Sequence, residues 1–174
     1  MYEIEIPSGT TVQFNEGEIA IKGKLGSTRK KFNVKLNTYK QEGSKITIGW
    51  TKNKKLVKKA ELAATATSNE VRDAIKNVNE GIETNMKVLY AHFPMSLELK
   101  GRSLHLKNVF GEKVPRTADI VGDTKIEIKG QDVKVKGVDR YDVGQTIANI
   151  RKACKARGYD TRVFQDGIYI SREE

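Results

Sequence analysis

Lysine and arginine are the residues of this sequence whose number and spacing most directly predict a chemistry. They total 32 against 22 aspartates and glutamates, which gives a formal charge of +10 and an isoelectric point near 9.6. Both halves carry the excess: residues 1–87 hold 16 basic and 10 acidic residues, and residues 88–174 hold 16 and 12. An imbalance of this size predicts a polyanionic partner, and we favour nucleic acid.

One group of lysines is concentrated at the start of a predicted helix, at positions 52, 54, 55, 58 and 59. Cations are unfavourable at this end of a helix because the helix dipole is positive there. A bound anion would offset that cost, and a solvated basic loop is an equally good interpretation. The role of this lysine cluster therefore stays open.

Residues suited to catalysis or metal binding are scarce. His92 and His105 are the only histidines, and no cysteine or acidic cluster accompanies them at zinc-site spacing. Cys154 is the only cysteine, so no internal disulfide can form, and a reducing, intracellular compartment is expected. Because Cys154 falls on the apolar face of a predicted helix, we interpret it as a small core residue and not as a reactive thiol.

Known catalytic motifs also fail to match. The stretch from Gly17 to Lys24 resembles a phosphate-binding loop, but five residues separate Gly17 from Gly23 where four are needed. Leu25 then stands where that motif requires serine or threonine, and no Gly-x-Ser-x-Gly motif is present. We predict that the protein is not an enzyme and uses no catalytic residue, metal or cofactor. No apolar run approaches the roughly 20 residues of a membrane span and no signal peptide opens the sequence, so no membrane partner is predicted.

Two stretches 85 positions apart share one pattern, residues 19–26 (IAIKGKLG) and residues 104–111 (LHLKNVFG). Both alternate apolar residues, and Lys22 and Gly26 recur as Lys107 and Gly111. The repeat is much longer than the ~20–50 residues of a solenoid unit, so it predicts a duplicated domain. The lean apolar fraction of 37% also suits two small cores better than one large core. We predict an N-terminal copy over residues 1–84 and a C-terminal copy over residues 85–174.

The elements of the first copy follow from hydrophobic periodicity. Five strands are predicted, at Tyr2–Ile6, Thr11–Phe14, Ile19–Lys24, Lys31–Leu36 and Lys45–Trp50. A long helix is predicted from Lys54 to Gly81, because small and apolar residues recur there at spacings of three and four. These residues are Ala60, Ala64, Thr67, Val71, Ile75, Val78 and Ile82.

The second copy repeats this plan. Its predicted strands are Met86–Leu89, Ser96–Lys100, Leu104–Lys107, Lys125–Lys129 and Val133–Gly137. Asp142 is the predicted N-cap of a helix that ends at Gly158, with Gln145 as its capping-box partner. Its predicted buried face contains Val143, Ile147, Ile150 and Cys154. The predicted fold class is α+β, with two tandem similar domains, each a small mostly antiparallel sheet packed by one helix.

Two motifs near the end of the sequence carry a resemblance to a known family. Residues 137–150 read G-x-D-x-x-x-V-G-Q-x-x-A-x-I, and residues 162–170 read R-x-F-x-D-G-I-Y-I. Together they closely resemble the C-terminal domain of the large-subunit ribosomal protein L6 family in its archaeal and eukaryotic form. Asp166-Gly167 stands where the bacterial form has a Tyr-Lys-Gly-Lys-Gly-type sequence, which favours the archaeal branch. The family is itself built from two tandem α+β copies, so the resemblance covers essentially the whole chain.

The resemblance implies a structural constituent of the large ribosomal subunit, located in the cytoplasm within the ribosome. Its implied partner is the large-subunit (23S-type) rRNA near the stalk base and the sarcin–ricin region, where translation factors dock. Neighbouring large-subunit proteins are implied as further partners, and contact with translation factors is left open. Without the C-terminal motifs the alternative would be a standalone basic scaffold that binds RNA, or joins proteins through exposed sheet edges.

By analogy with the family, the C-terminal copy makes most of the RNA contact, and we assign candidate residues there. Asn149, Lys152 and Lys155 lie opposite the apolar face of the predicted helix, and Arg157 lies past its end. Gly144 and Gln145 are placed in the predicted first turn, where free backbone amides can hold a phosphate. The others border a hairpin or open the second motif: Lys107, Lys113, Arg116 and Arg162.

Three further residues of the second motif receive structural interpretations. Phe164 and Tyr169 are expected in the core and not as stacking platforms, and Gly167 is expected in a turn. For any single lysine of the candidate set, a solvated charge and an RNA contact are equally good interpretations.

Overall fold

The structure is a computed structural model that describes residues 2–15, 17–32, 36–43, 45–50 and 56–171. It divides the chain into two compact units, Met1–Gly81 and Ile82–Glu174. The boundary falls directly after a helix that ends at Gly81 and before a strand that begins at Ile82. It therefore lies three residues upstream of the boundary predicted from the sequence.

The first unit contains six strands and one long helix in the residues that the structure describes. The strands are β1 (Tyr2–Glu5), β2 (Thr11–Asn15), β3 (Glu18–Lys22), β4 (Ser27–Lys31), β5 (Asn37–Glu42) and β6 (Lys45–Trp50), followed by α1 (Val57–Glu80). They form two antiparallel sheets with the orders β1-β6-β5 and β2-β3-β4. Isoleucines of β3 and β6 are fully buried, and together with the small-residue face of α1 they form the core.

Helix α1 forms because small and apolar side chains recur along one face. Its buried residues are Ala60, Ala64, Ser68, Val71, Ala74, Ile75 and Val78. The helix ends at Gly81, which adopts a φ of 79° that favours glycine. The prediction that Ile82 belongs to the apolar stripe of this helix is wrong, because the chain turns at Gly81 and Ile82 opens the next strand.

The second unit has seven strands, a short 3-10 helix and one α-helix in its described residues. They are β7 (Ile82–Leu89), β8 (Ser96–Lys100), β9 (Ser103–Lys107), the 3-10 helix (Val109–Gly111), β10 (Arg116–Asp119), β11 (Lys125–Lys129), β12 (Asp132–Gly137), α2 (Arg140–Ala153) and β13 (Gly167–Ile170). The strands form two antiparallel sheets with the orders β11-β12-β7-β13 and β10-β9-β8.

The two units repeat one order of elements and one pattern of strand pairing. Strands β2 and β8 begin at Thr11 and Ser96, and β3 and β9 begin at Glu18 and Ser103, so both pairs keep the 85-residue offset. The predicted α+β class with tandem similar domains is confirmed, although each unit contains two small sheets where one was expected. The second unit also has an additional strand, β13, on the side of β7 opposite β12.

The strand predicted from Lys31 to Leu36 is wrong in the described residues. Strand β4 ends at Lys31 and β5 begins at Asn37, while residues 33–35 lie outside the described part of the chain. Strands β4 and β5 read STRKK and NTYKQE, and β10 reads RTAD. Because these strands have almost no apolar residues, the alternation on which strand prediction depends is missing from them.

The core of the second unit lies between its sheets and α2. Fully buried residues include Leu104, Leu106, Val133, Val135 and Ile150. Cys154 joins this cluster, and burial raises the pKa of its thiol to about 12. The interpretation of Cys154 as a core residue is therefore confirmed. In the described part of the chain, neither helix combines the length and the apolar character of a membrane span.

Candidate nucleic-acid interface

Helix α2 carries four of the ten predicted RNA-binding residues, Gly144, Gln145, Asn149 and Lys152, and it begins earlier than the sequence suggested. Its N-cap is Asp139, whose carboxylate accepts a hydrogen bond of 2.8 Å from the backbone N–H of Tyr141. The assignment of Asp142 as N-cap is wrong, because Asp142 already lies in the first helical turn. Gly144 and Gln145 consequently lie in the second turn, where backbone amides bond within the helix and cannot hold a phosphate.

The exposed face of α2 is polar along most of its length. Tyr141, Gly144, Gln145, Ala148, Arg151 and Lys152 are exposed there. The Gln145 side-chain amide donates to Asn149 Oδ1 at 3.0 Å, and the Asn149 amide donates to the carbonyl of Asp119 at 2.9 Å. These two predicted contact residues therefore join α2 to the end of β10.

Arg116 has a structural position at the other end of α2. Its Nη1 donates to the carbonyl oxygens of Ala153 and Lys155 at 2.9 and 2.8 Å, and its Nε donates to Glu112 at 2.7 Å. The bond to Glu112 raises the pKa of Arg116 and lowers the pKa of Glu112. Because the side chain is only 17% exposed and binds carbonyls at the helix C-terminus, Arg116 acts as a helix cap.

The remaining predicted basic residues of the second unit differ in how free they are. Lys107 Nζ lies 2.7 Å from the Glu98 carboxylate, and this hydrogen bond lowers the pKa of Glu98. Arg157 is exposed, and its charge contributes to the lowered pKa of Glu112. Lys113 and Arg162 are exposed in loops, away from α2 along the sequence.

Asp166 of the Asp-Gly motif fixes the segment that precedes β13. Its carboxylate accepts hydrogen bonds from the backbone N–H groups of Ala91, His92 and Phe93 at 2.8, 3.4 and 3.2 Å. Burial alone would raise the pKa of this carboxyl, but the three amides and the nearby His92 ring hold it below its usual value. The motif thus joins the C-terminal segment to the loop between β7 and β8.

Aromatic side chains also pack along the same segment. Phe110 stacks on Tyr159 with ring centroids 5.2 Å apart, and Tyr159 packs on Phe164 at 5.0 Å. Phe164 also contacts the His92 ring at 4.9 Å, so its expected core role is confirmed. Phe110 adopts a φ of 52°, a conformation that is unfavourable for a large side chain and is held here by its burial.

An open groove of about 540 Å³ lies between the C-terminal end of α2 and the segment that leads into β13. Arg151, Lys152 and Lys155 line its helix side, and all three are exposed. None of these three forms a salt bridge to any carboxylate in the residues that the structure describes. Free cations grouped in this way attract phosphate.

Tyr169 forms part of the opposite side of the groove. Its hydroxyl donates to the carbonyl of Gln165 at 2.8 Å, and 44% of the residue is exposed. A Cβ atom at Gly167 would lie 3.3 Å from this ring, so the absent side chain leaves room for the ring against the backbone. The expectation that Tyr169 lies in the core is wrong, and Gly167 opens β13 instead of forming a turn.

The structure thus brings only part of the predicted set together. Lys152 and Lys155 share the groove with Arg151, which sequence reasoning missed. The helical spacing could have identified Arg151, because it follows the exposed Gly144 and Ala148 by seven and three positions on the same face. The described residues hold no group of three or more histidine, cysteine or acidic side chains placed to bind a metal.

Comparison with known proteins shows relatives that match nearly the whole chain. A family model described as "Ribosomal protein L6" matches residues 93–167, a range that includes the groove residues of α2 and Asp166. Relatives named "Large ribosomal subunit protein uL6" include one from Methanocella arvoryzae, 37% identical over 97% of this chain and 94% of its own. Another, from Thermoplasma acidophilum, is 38% identical over 96% and 92%, and one from Methanococcus vannielii is 38% identical over 97% and 91%. The chain belongs to the ribosomal protein L6 family.

Proposed function

We propose that this protein is a structural constituent of the large ribosomal subunit and binds the large-subunit rRNA mainly through its second unit. The observation that carries this proposal is the groove with Arg151, Lys152 and Lys155, three grouped cations without carboxylate partners in the described residues. The groove lies within a family match whose relatives are named as proteins of the large ribosomal subunit. Its place of action is then the ribosome in the cytoplasm.

The physical basis of binding is neutralisation of phosphates on a rigid surface. Each cation that contacts a phosphate releases condensed counterions, so affinity falls steeply as salt rises. Folded RNA is recognised chiefly through its shape and backbone and through unpaired loops. A fixed helix end with grouped cations suits such recognition, because α2 is held by a buried face and by Arg116 at its C-terminus.

The proposal includes a location and further partners. Near the stalk base and the sarcin–ricin region, the second unit would bind rRNA, while neighbouring ribosomal proteins and translation factors would contact other surfaces. Family membership supports this placement, and it also agrees with the prediction that the protein is not an enzyme. Co-sedimentation with large subunits at low and high salt tests the association directly, and binding without any rRNA contribution would favour the scaffold alternative.

The sharper test is a salt titration of binding to a large-subunit rRNA fragment with matched charge variants. We expect R151Q/K152Q to lower the log–log salt slope by roughly 0.7–0.9 for each phosphate that the variant no longer neutralises. K125Q/K129Q removes the same charge from exposed positions on β11, outside the groove, and is expected to leave the slope nearly unchanged. Equal effects of the two double variants would place the RNA surface elsewhere.

A further inference from the structure

We propose that the groove between α2 and β13 accepts one unstacked nucleotide of RNA, with its base on the outward face of Tyr169. This inference rests on the proposed function, because it specifies which part of an RNA the second unit holds. The flanking phosphates would contact Arg151, Lys152 and Lys155 on the opposite side of the groove. The remainder of the RNA would lie outside the groove.

Tyr169 has the geometry of a stacking platform. One face of its ring lies against the backbone at Gly167, where an added Cβ would meet the ring at 3.3 Å. The hydrogen bond from its hydroxyl to the Gln165 carbonyl fixes the ring in that position. With 44% of the residue exposed, the other face is available, and aromatic stacking accepts any of the four bases.

The charges around the groove also suit a nucleotide. The C-terminus of a helix ordinarily disfavours anions, because its last carbonyls carry partial negative charge. Here Arg116 donates to the carbonyl of Ala153, the last residue of α2, and to the carbonyl of Lys155 just beyond the helix, and its positive charge offsets the effect of the helix end. Asp166 also lies along the groove, but its carboxylate accepts three backbone N–H bonds at the loop between β7 and β8.

The size and lining of the groove match the same ligand. A volume of about 540 Å³ falls within the roughly 300–1,000 Å³ of small-molecule sites, so one nucleotide fits and a duplex does not. Ala148, Ala156 and Phe164 supply apolar surface, whereas Thr161 and Gln165 supply polar groups. A paired base cannot reach Tyr169 without leaving its stack, so the groove selects unpaired nucleotides.

The test compares two RNA hairpins that differ by one unpaired, bulged nucleotide, using the full-length protein. We expect the bulged hairpin to bind roughly tenfold more tightly, since stacking of one base on an aromatic ring is worth that much. Tyr169→Leu should abolish this preference, and Tyr169→Phe, which keeps the ring, should retain it. Tyr141→Leu is the matched control, because Tyr141 is an exposed tyrosine at the start of α2 and is absent from the groove lining.

A spectroscopic readout separates stacking from a structural effect. With 2-aminopurine as the bulged base, binding to the wild type and to Tyr169→Phe should quench its fluorescence, and binding to Tyr169→Leu should not. Equal affinity for both hairpins, or a preference that survives in Tyr169→Leu, would overturn the nucleotide site. Salt-dependent binding that persists in that case would leave the proposed RNA-binding function intact, whereas failure to bind either hairpin or rRNA would remove both.

Discussion

Asp166 gives the clearest link between one residue of the family motif and the fold. A buried carboxylate is costly unless its charge is compensated, and here three backbone amides and His92 surround it. The same three hydrogen bonds close the loop between β7 and β8 onto the segment that carries Tyr169. Asp166 therefore has a structural role, and the segment that it fixes also lines the groove.

Replacing Asp166 by asparagine should destabilise the second unit by about 2–4 kcal/mol. The asparagine amide would lose the charge that strengthens three hydrogen bonds and would add donors where only acceptors fit. Thermal unfolding checks this expectation. Asp160→Asn is the control, since Asp160 is exposed and its carboxylate accepts a local hydrogen bond from the Arg162 N–H. Similar melting temperatures for both variants would contradict this role of Asp166.

The stability of the protein should also depend on pH through Asp166. Because the folded-state pKa of this carboxyl lies below its unfolded value of about 3.9, its contribution is fully present above that value. The contribution is lost as the pH falls through the folded-state pKa. Denaturant unfolding should be measured between roughly pH 2 and 6, a window around the unfolded-state pKa. The free energy of unfolding should fall more steeply with decreasing pH for the wild type than for Asp166→Asn.

Arg116 should respond to a substitution that conserves its charge. In Arg116→Lys a single ammonium cannot reach both the Glu112 carboxylate and the carbonyls of Ala153 and Lys155, so we expect a loss of about 1–3 kcal/mol. The salt slope of RNA binding should change little. Arg157→Lys, an exposed conservative change, is the control in the same thermal melts. A lower salt slope with unchanged stability would instead restore Arg116 as an RNA contact.

At the scale of elements, α2 has a buried face that packs in the core and an exposed face that carries cations of the groove. Ile150 is fully buried between the sheets, whereas Arg151 next to it is exposed at the groove. The sequence predicted this division correctly, because the apolar spacing of Val143, Ile147 and Ile150 determines which side faces the core. It could not predict which cations would be free, because ion pairs such as Lys107–Glu98 join different strands.

Two substitutions on neighbouring residues should therefore have opposite effects. Ile150→Ala should cost about 2–5 kcal/mol, since it removes buried methyl groups and leaves a cavity, with little change in the salt slope of binding. Arg151→Gln should change stability by less than about 0.5 kcal/mol and reduce the salt slope. Thermal melts and salt titrations of both variants check the pair, and a strong loss of stability in Arg151→Gln would refute the division.

Element boundaries were harder to predict than the repeat or the helix faces. Asp139 and Asp142 are both good N-cap residues, and only the end of β12 decides that Asp139 is used. Strands β4, β5 and β10 escaped prediction because their stability comes from pairing with β3, β6 and β9, and not from their own apolar pattern. The groove depends on β13 meeting α2 in three dimensions, which no local spacing encodes.

At the scale of the whole molecule, the two units share one architecture but differ in their additional elements and surface residues. In the described residues, the second unit alone has a strand in the position of β13, and with it Asp166 and Tyr169. The first unit carries exposed cations such as Arg29 and Lys31 on β4, but Lys31 already lies 3.8 Å from Glu18. The two units thus share one order of elements but differ in β13 and in the groove that it helps to form.

We expect residues 82–174 alone to retain most of the specific rRNA affinity of the full chain. The groove, its cations and Arg116 all lie within that unit. Binding of the two fragments 1–81 and 82–174 to the same rRNA fragment checks this, and circular dichroism establishes that each fragment is folded. If fragment 1–81 bound as tightly as the full chain, the assignment of roles would be wrong.

The position of β13 also has a consequence for the order in which the protein can fold during translation. Strands β1 to β6 and α1 leave the ribosome in one continuous segment, so the first unit can complete its pairing early. Strand β7 emerges long before β13, which pairs with it only after α2 has been synthesised. A nascent chain therefore exposes the open edge of β7 until the segment with Asp166 arrives, and unpaired edges invite association with other chains.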